Sequence, residues 1–175
     1  KASCYEKPGP HGIGFGLGNG EAFYVDLDGF TGGRIEALRQ INYVLTSENF
    51  AKAVFDETRN LGSLLGLGIR PAGIKDDVLI AAYLLESTRT SYPIPFLAQI
   101  YADVDAAHSV PEGFDEAAFR TAENADLVAR LAPILRAKLR DNSLEQLYDE
   151  IELPLIPILA DIELAGMKVD GDNLK

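Results

Sequence analysis

The sequence predicts an α/β domain in which the strands come early and the helices follow. Two extended runs flank a Gly-Asn-Gly turn at residues 18–20, which is a strong hairpin signal. From residue 76 onward, apolar residues recur at helical spacing almost to the end of the chain. With 175 residues and 47% hydrophobic content, the chain is long enough for one domain with a substantial core.

Glycine and proline divide the first half of the chain into short elements. Residues 1–11 are polar and proline-containing, and we expect a loop there. The hairpin comprises residues 12–17 and 21–26. The remaining predicted elements are a helix over 34–46, a short strand over 51–55, and a helix over 58–67 that ends at Gly68.

The second half is predicted to be helical. The run DDVLIAAYLLE at 76–86 is predicted to be a helix that begins with two acidic residues at its positive end. Further helices are predicted over 95–103, over 114–140, and over 143–166, the last kinked at Pro154 and Pro157 and ended by Gly166. Helical spacing places the following residues in one core: Leu79, Ile80, Tyr83, Leu84, Phe96, Leu97 and Ile100.

Charge and composition exclude several classes of protein. A net charge of −11 argues against an autonomous DNA-binding domain, because such a surface repels phosphate. Cys4 is the single cysteine, so an internal disulfide framework and a four-thiolate zinc site are excluded. The two histidines, His11 and His108, lie far apart, and His108 is expected to be exposed in a loop. The apolar runs are short and interrupted, which predicts a cytoplasmic protein with no membrane partner.

Glycines at 12, 14, 16, 18 and 20 raise the question of a phosphate-binding loop. That mechanism requires a helix after the glycine turn, whereas a strand follows here, so we favour the hairpin. Glycines two apart share one face of a strand and leave room for something packed closely above it.

Acidic pairs are the other candidates for chemistry. Asp26 and Asp28 have a spacing that can hold Mg²⁺, but a turn explains them better. Capping and helix-dipole roles are expected for two further pairs, Asp56 with Glu57 and Asp76 with Asp77. The sequence has no GxSxG and suggests no Ser-His-Asp set.

Four stretches together resemble the 3′–5′ exonuclease domain of family A bacterial DNA polymerases. The plainest is LYDEIELPLIPILADIELAGMKVD at 147–170, which is similar to the connection from exonuclease to polymerase domain. The others are GIKDDVLIAAYLLE at 73–86, with Asp77 at the position of a usual Asp, IGFGLGNGEAFYV at 13–25, and FRTAENADLVARL at 119–131. The resemblance implies a ribonuclease-H-like exonuclease fold, with a mixed sheet flanked by helices and a C-terminal helix leading toward a polymerase domain.

Active members of this family hold two divalent metal ions with carboxylates from three motifs. The resemblance places Asn60 at the Asp of the second motif, and Arg120 and Asn124 at the Tyr and Asp of the third. The first motif is absent, or replaced by CYE at 4–6, which lacks the Asp. Mg²⁺ prefers anionic oxygen, and a permanent cation nearby opposes its binding. We therefore expect a vestigial site with no catalytic residue, metal or cofactor in this domain.

The resemblance also implies a domain division and partners. Residues 1–142 are assigned to the exonuclease-like domain, and 143–175 to the connecting helix and the start of a truncated polymerase domain. The chain is expected to be a monomeric fragment of a DNA-directed DNA polymerase I that acts in replication and repair. DNA is expected as a partner through the parent protein, in which Mg²⁺ is expected only in the polymerase domain.

Two further expectations follow. A working nuclease with relocated carboxylates at Asp56, Glu123 and Asp126 is the alternative, although Asp126 lies about 200° around the helix from Asn124 and so faces away from the old site. Apolar residues cover more than one face of the last helix, so part of that surface is expected to contact another domain: Leu153, Leu155, Ile156, Ile158, Leu159 and Ile162.

Overall fold

The computed structural model of the chain describes residues 10–166, apart from the side chains of Glu57 and Arg59. It begins with the expected hairpin, in which β1 (Gly12–Gly16) pairs antiparallel with β2 (Ala22–Asp26). The ladder continues into the turn, where the N–H of Leu17 donates to the carbonyl of Glu21. The hairpin prediction is confirmed, whereas most of the loop predicted at 1–11 lies outside the described residues.

The glycines of β1 allow a helix to lie directly on the strand. This helix is α5 (Glu116–Asp141), which extends slightly beyond the predicted range. A Cβ added at Gly14 would meet the backbone carbonyl of Thr121, and one added at Gly16 would meet the backbone of Ala125 and Asp126. The alternating glycines therefore make room for close packing, as the sequence indicated.

A second pair of strands lies between the hairpin and the helical half of the chain. The chain continues through α1 (Gly33–Thr46), β3 (Lys52–Val54) and α2 (Glu57–Leu65). Next, β4 (Ile74–Asp77) pairs in parallel with β3. The prediction of a helix from Asp76 was wrong at its start, because Asp76 and Asp77 belong to β4 and α3 begins at Val78. The run IKDD lacks the alternation of apolar and polar residues that marks a strand, and β3, the strand with which it pairs, is separated from it by the whole of α2.

The single mixed sheet expected from the resemblance is not continuous within the described residues. The hairpin and the β3–β4 pair form two separate two-stranded sheets, one antiparallel and one parallel. No hydrogen-bonded ladder joins them in this part of the chain, and α5 packs against both. The helix, and not a strand, holds the two pairs together.

The main core lies where the second-half helices meet α5. These helices are α3 (Val78–Leu85) and α4 (Ile94–Leu97), and a π-helical turn, Ala98–Ala102, extends α4. The expected face of α3 was partly wrong, because Tyr83 is half exposed and the residues that α3 buries most deeply are Val78, Ala81 and Ala82. Leu97 is buried as expected, whereas Ile100 is half exposed. The fully buried part of the core is completed by Ala98, Leu127, Val128, Leu131, Ala132, Leu135, Leu139 and Tyr148.

The C-terminal helical segment is built from three successive pieces. They are α6 (Glu145–Leu147), a π-helical turn (Tyr148–Glu152) and α7 (Leu153–Ala165). The helix predicted over 143–166 is therefore interrupted by a π-helical turn, which ends at Glu152, shortly before Pro154. Proline has no backbone N–H and so cannot donate the hydrogen bond of a regular α-helix. Gly166 ends the segment with φ 66°.

The segment packs on the body through α7. Ile156 and Ala160 are buried against Leu61 of α2. A domain boundary at 142/143 remains a prediction. None of the helices in the described range combines the length and apolar character that a membrane crossing requires.

Candidate functional site

Asn60, which the resemblance places at the second motif, lies in the first turn of α2, shortly after β3. Its side-chain amide donates a hydrogen bond of 2.7 Å to the backbone carbonyl of Phe55, and the residue is exposed. The amide therefore closes the turn between strand and helix. At this position the chain therefore carries a neutral amide whose nitrogen is bonded to its own backbone.

Arg120 and Asn124, which the resemblance places in the third motif, lie one turn apart on α5. The Nη1 of Arg120 donates 2.7 Å to the carbonyl of Ala107 and 2.9 Å to Oε2 of Glu123. The other carboxyl oxygen of Glu123 accepts the N–H of Ala107 at 2.6 Å. The pair thus fastens the start of α5 to the preceding loop. The half-buried amide of Asn124 makes no hydrogen bond among residues 10–166.

Asp126 is buried and directed toward the hairpin. Its Oδ1 accepts the N–H of Gly20 at 3.1 Å, and its Oδ2 accepts from Nε of Arg130 at 2.7 Å. Both oxygens are therefore satisfied by the hairpin turn and by the same helix. This carboxylate holds β1 and β2 against α5.

Asp77, at the end of β4, is a buried acidic residue with several hydrogen bonds. It is almost completely buried, and its Oδ1 accepts the N–H groups of Leu79 and Ile80, which confirms that it caps α3. The backbone N–H of Asp77 donates 2.6 Å to the hydroxyl of Tyr148, and that hydroxyl donates 3.1 Å to the Asp77 carbonyl. Burial raises the pKa of Tyr148 well above its usual range.

The other expected caps differ from their predictions. Asp56 stands at the N-cap of α2 in a left-handed conformation, φ 57°, and its side chain accepts no cap hydrogen bond, so its predicted capping role was wrong. Asp76 is also not a cap, because it pairs with Nε of Arg136 at 2.8 Å. Burial raises the pKa of Asp76, and the Arg136 contact opposes that shift.

Sequence reasoning missed the two residues that connect the C-terminal segment to this region. Tyr148 anchors Asp77, and Arg136 joins Asp76, the carbonyl of Lys75 and Asp149 in one network. Tyr148 stood in a stretch that resembled the polymerase family, but nothing in the sequence marked a buried hydroxyl. Arg136 stands in a long helix, where no local sequence feature distinguishes it from a solvent-facing arginine.

Asp26 and Asp28 form a turn and not a metal site. Oδ1 of Asp26 accepts the N–H groups of Asp28 and Gly29 at 3.0 and 2.9 Å. Asp28 itself pairs with His11 and Arg34, and these two contacts lower its pKa. The turn interpretation is confirmed.

The motif positions that the resemblance implies carry no carboxylate among the described residues. The aligned positions carry two amides and one guanidinium, namely Asn60, Asn124 and Arg120. Across residues 10–166, no three His, Cys, Asp or Glu side chains converge as a metal-binding group. The tripeptide CYE at 4–6 lies outside the described residues.

Comparisons with known proteins agree with the resemblance. The family model described as "DNA polymerase I, ribonuclease H-like domain" matches residues 10–109. DNA polymerase I of Geobacillus stearothermophilus is 32% identical over 142 residues, which cover 75% of this chain and 16% of the relative. DNA polymerase I of Pseudomonas aeruginosa is 29% identical over 187 residues, covering 93% of this chain and 20% of the relative. The chain therefore spans only about a fifth or less of these relatives.

Two solved structures share the fold. The POL domain of Pol1 from M. smegmatis, in complex with DNA primer-template and dNTP, superposes with a TM-score of 0.71 and 26% identity, over 87% of this chain and 25% of that one. Brucella melitensis NrnC bound to pGG superposes with a TM-score of 0.68, over 88% of this chain and 76% of that one. At 17% identity, the second shows the fold alone.

Proposed function

This chain belongs to the family of DNA polymerase I ribonuclease H-like domains, and we propose that within such a polymerase it is a non-catalytic support for the polymerase domain. The parent protein would be a DNA-directed DNA polymerase that acts in replication and repair in the bacterial cytoplasm. Any Mg²⁺ would be held by its polymerase domain.

The observation that carries the proposal is the environment of Arg120. Two-metal hydrolysis requires several carboxylates that converge on the ions. Here a guanidinium occupies the third-motif position and is fixed by Ala107 and Glu123, so it cannot swing aside without breaking a charge-assisted contact. Asn60 and Asn124 supply only neutral amide oxygens, which are weak substitutes for carboxylates around Mg²⁺.

Relocated carboxylates are less well supported. Glu123 is paired with Arg120, and Asp126 is paired with Arg130 and directed at the hairpin turn. A carboxylate that already satisfies a guanidinium offers little free charge to a metal ion. Asp56 would stand without those two residues as co-ligands.

The support role draws on the exposed side of the C-terminal segment. Ile156 fixes α7 to α2, while large apolar side chains on the other sides remain open to solvent. They are Ile151, Leu155, Ile158, Leu159, Ile162 and Leu164. Apolar surface on this scale is typical of a protein contact, and the relatives are polymerases several times longer than this chain. We assign that contact to the polymerase domain of the same parent chain.

A nuclease assay tests the catalytic part of the proposal. Single-stranded DNA labelled at its 5′ end is incubated with the purified chain and fresh Mg²⁺ or Mn²⁺, with a proofreading exonuclease as positive control. We expect no metal-dependent removal of 3′ nucleotides. Asn124→Asp should not restore cleavage, because Arg120 stays beside the new carboxylate and the other ligands are still missing.

The relocated-carboxylate alternative has its own signature. Metal-dependent cleavage that Asp56→Ala abolishes, and that the matched control Asp141→Ala preserves, would overturn the proposal. Two bound ions about 3.5–4 Å apart would do the same. For the support role, the full reading frame is decisive, since a frame without a downstream polymerase domain would contradict it.

A further inference from the structure

A groove lies on the side of α5 that faces the edge of the hairpin. Its volume is about 500 Å³, and it is bounded by β2, the first turns of α5 and the segment 104–114. Phe114 is 65% exposed at its mouth and meets the ring of Phe119 edge-on, with centroids 6.2 Å apart. The principal apolar side chains of the lining are Ala22, Tyr24, Val104, Phe114, Phe119 and Leu127.

The segment 103–126, which borders this groove and is called its rim here, is strongly acidic, and three of its acids, Asp105, Glu123 and Asp126, line the groove together with Arg130. Residues 103–126 contain seven acidic residues against one arginine, so they carry −6 of the total of −11. Of these acids, Glu123 and Asp126 are paired with arginines. The five others make no ion pair within residues 10–166: Asp103, Asp105, Glu112, Asp115 and Glu116.

The acidic residues around the groove also affect Tyr24, which forms part of its wall. Burial and the carboxylates of Asp26, Asp115 and Asp28 raise the pKa of the Tyr24 hydroxyl. A ligand in the groove would thus meet an apolar floor and a strongly anionic rim. Such a rim repels nucleic acid, and it also repels a second copy of this chain, whose net charge is −11.

We propose that this groove is a docking site for a basic, apolar peptide segment of another protein. An aromatic or leucine side chain of the partner would pack beside Phe114 and Phe119. Lysine or arginine residues on either side of it would lie against the carboxylates of the rim. Apolar contact supplies the affinity, and charge complementarity selects the partner and speeds association. This role is independent of the nuclease status of the domain.

Fluorescence anisotropy tests the proposal with the peptide KRLFRK, labelled with fluorescein, against the acidic peptide EDLFDE. We expect the basic peptide to bind the 175-residue chain with a Kd below about 100 µM and the acidic peptide not to bind. The affinity for the basic peptide should fall when NaCl is raised from about 50 to 500 mM, because the rim charges are exposed and therefore screened. Failure of the basic peptide to bind would overturn the proposal.

Variants locate the site. Phe114→Ser should weaken binding about tenfold or more, and Glu112→Lys with Glu116→Lys should weaken it further. The matched controls are Ile35→Ser, at an apolar residue 86% exposed on α1, and Asp141→Lys at the far end of α5, and neither should change the affinity.

Three results would overturn the proposal. The first is an affinity for the basic peptide that is unchanged in Phe114→Ser. A dimer lost in Phe114→Ser would assign the groove to a second copy, and equal binding of single-stranded DNA would assign it to nucleic acid, so either result would overturn the proposal.

Discussion

Replacing Gly14 with alanine tests the direct contact between β1 and α5. The new Cβ would lie 2.6 Å from the carbonyl oxygen of Thr121 and 3.1 Å from its Cγ2. Nonbonded heavy atoms pack at about 3.5–4.0 Å, so strand and helix would have to separate by roughly 0.5–1 Å. Overpacking of this kind lowers the free energy of unfolding by about 1–3 kcal/mol. Alanine also restricts the unfolded chain, which raises the free energy of unfolding by about 0.4–1 kcal/mol. Because backbone opposes the methyl group, we expect a net loss of about 2 kcal/mol in the free energy of unfolding.

Alanine substitutions at two other glycines give stabilities with which Gly14→Ala can be compared. Gly16→Ala should cost more than Gly14→Ala, because its Cβ would overlap the backbone of Ala125 and Asp126 more deeply. Gly66→Ala is the control, since Gly66 has a right-handed helical backbone and its nearest neighbours are carbonyl oxygens at 3.5 and 3.6 Å. That variant should be unchanged, or more stable by up to about 1 kcal/mol.

Urea denaturation followed by circular dichroism measures all three variants. In thermal melts, a loss of about 2 kcal/mol corresponds to a decrease in Tm of about 4–8 °C for a chain of this length. If Gly14→Ala and Gly16→Ala proved as stable as Gly66→Ala, the strand and helix would not be in backbone contact. Close packing against α5 would then not be the reason for the alternating glycines of β1.

Three further predictions concern other parts of the molecule. Tyr148→Phe removes the hydroxyl that accepts the buried N–H of Asp77, so unfolding free energy in urea should fall by about 1–3 kcal/mol; an unchanged value would contradict the anchor. Hydrogen bonds from Arg39, and then from Gln40, hold the pKa of Glu36 at about 2. Because this pKa is depressed, the Glu36–Arg39 ion pair stabilises the folded state at pH values above the ordinary glutamate pKa, and that stabilisation is lost as pH falls toward 2. A carboxyl NMR titration should show the pKa of Glu36 rising in Arg39→Ala. Ile158→Ser, at a side chain 54% exposed, should leave the stability of this chain within about 0.5 kcal/mol; a larger loss would place Ile158 in the core.

Local chemistry was sufficient to predict the hairpin and several element boundaries. The Gly-Asn-Gly turn permits left-handed backbone at Gly18 and Gly20, so the pairing of β1 with β2 follows from residues close in sequence. Gly166 ends the last helix for the same reason. The resemblance is carried by short sequence stretches, so the family follows from local sequence without reference to any tertiary contact.

The sequence could not select a buried face for α3. That helix is apolar along its whole length, so its composition has no periodicity that marks one side. The position of α5 decides the matter and buries Val78, Ala81 and Ala82 while Tyr83 stays half exposed. The same ambiguity applies to α7, where docking on α2 selects Ile156.

Residue type and local spacing are sufficient to indicate the family and the hairpin, and to place Asn60, Arg120 and Asn124 at the motif positions that the resemblance implies. The contacts of Arg120 with Ala107 and of Tyr148 with Asp77 are evident only in the folded chain. These contacts join residues far apart in the chain, or separated by a loop, and no local pattern encodes them. Their energy depends on burial and on hydrogen-bond geometry, which exist only once α5 has packed against both pairs of strands.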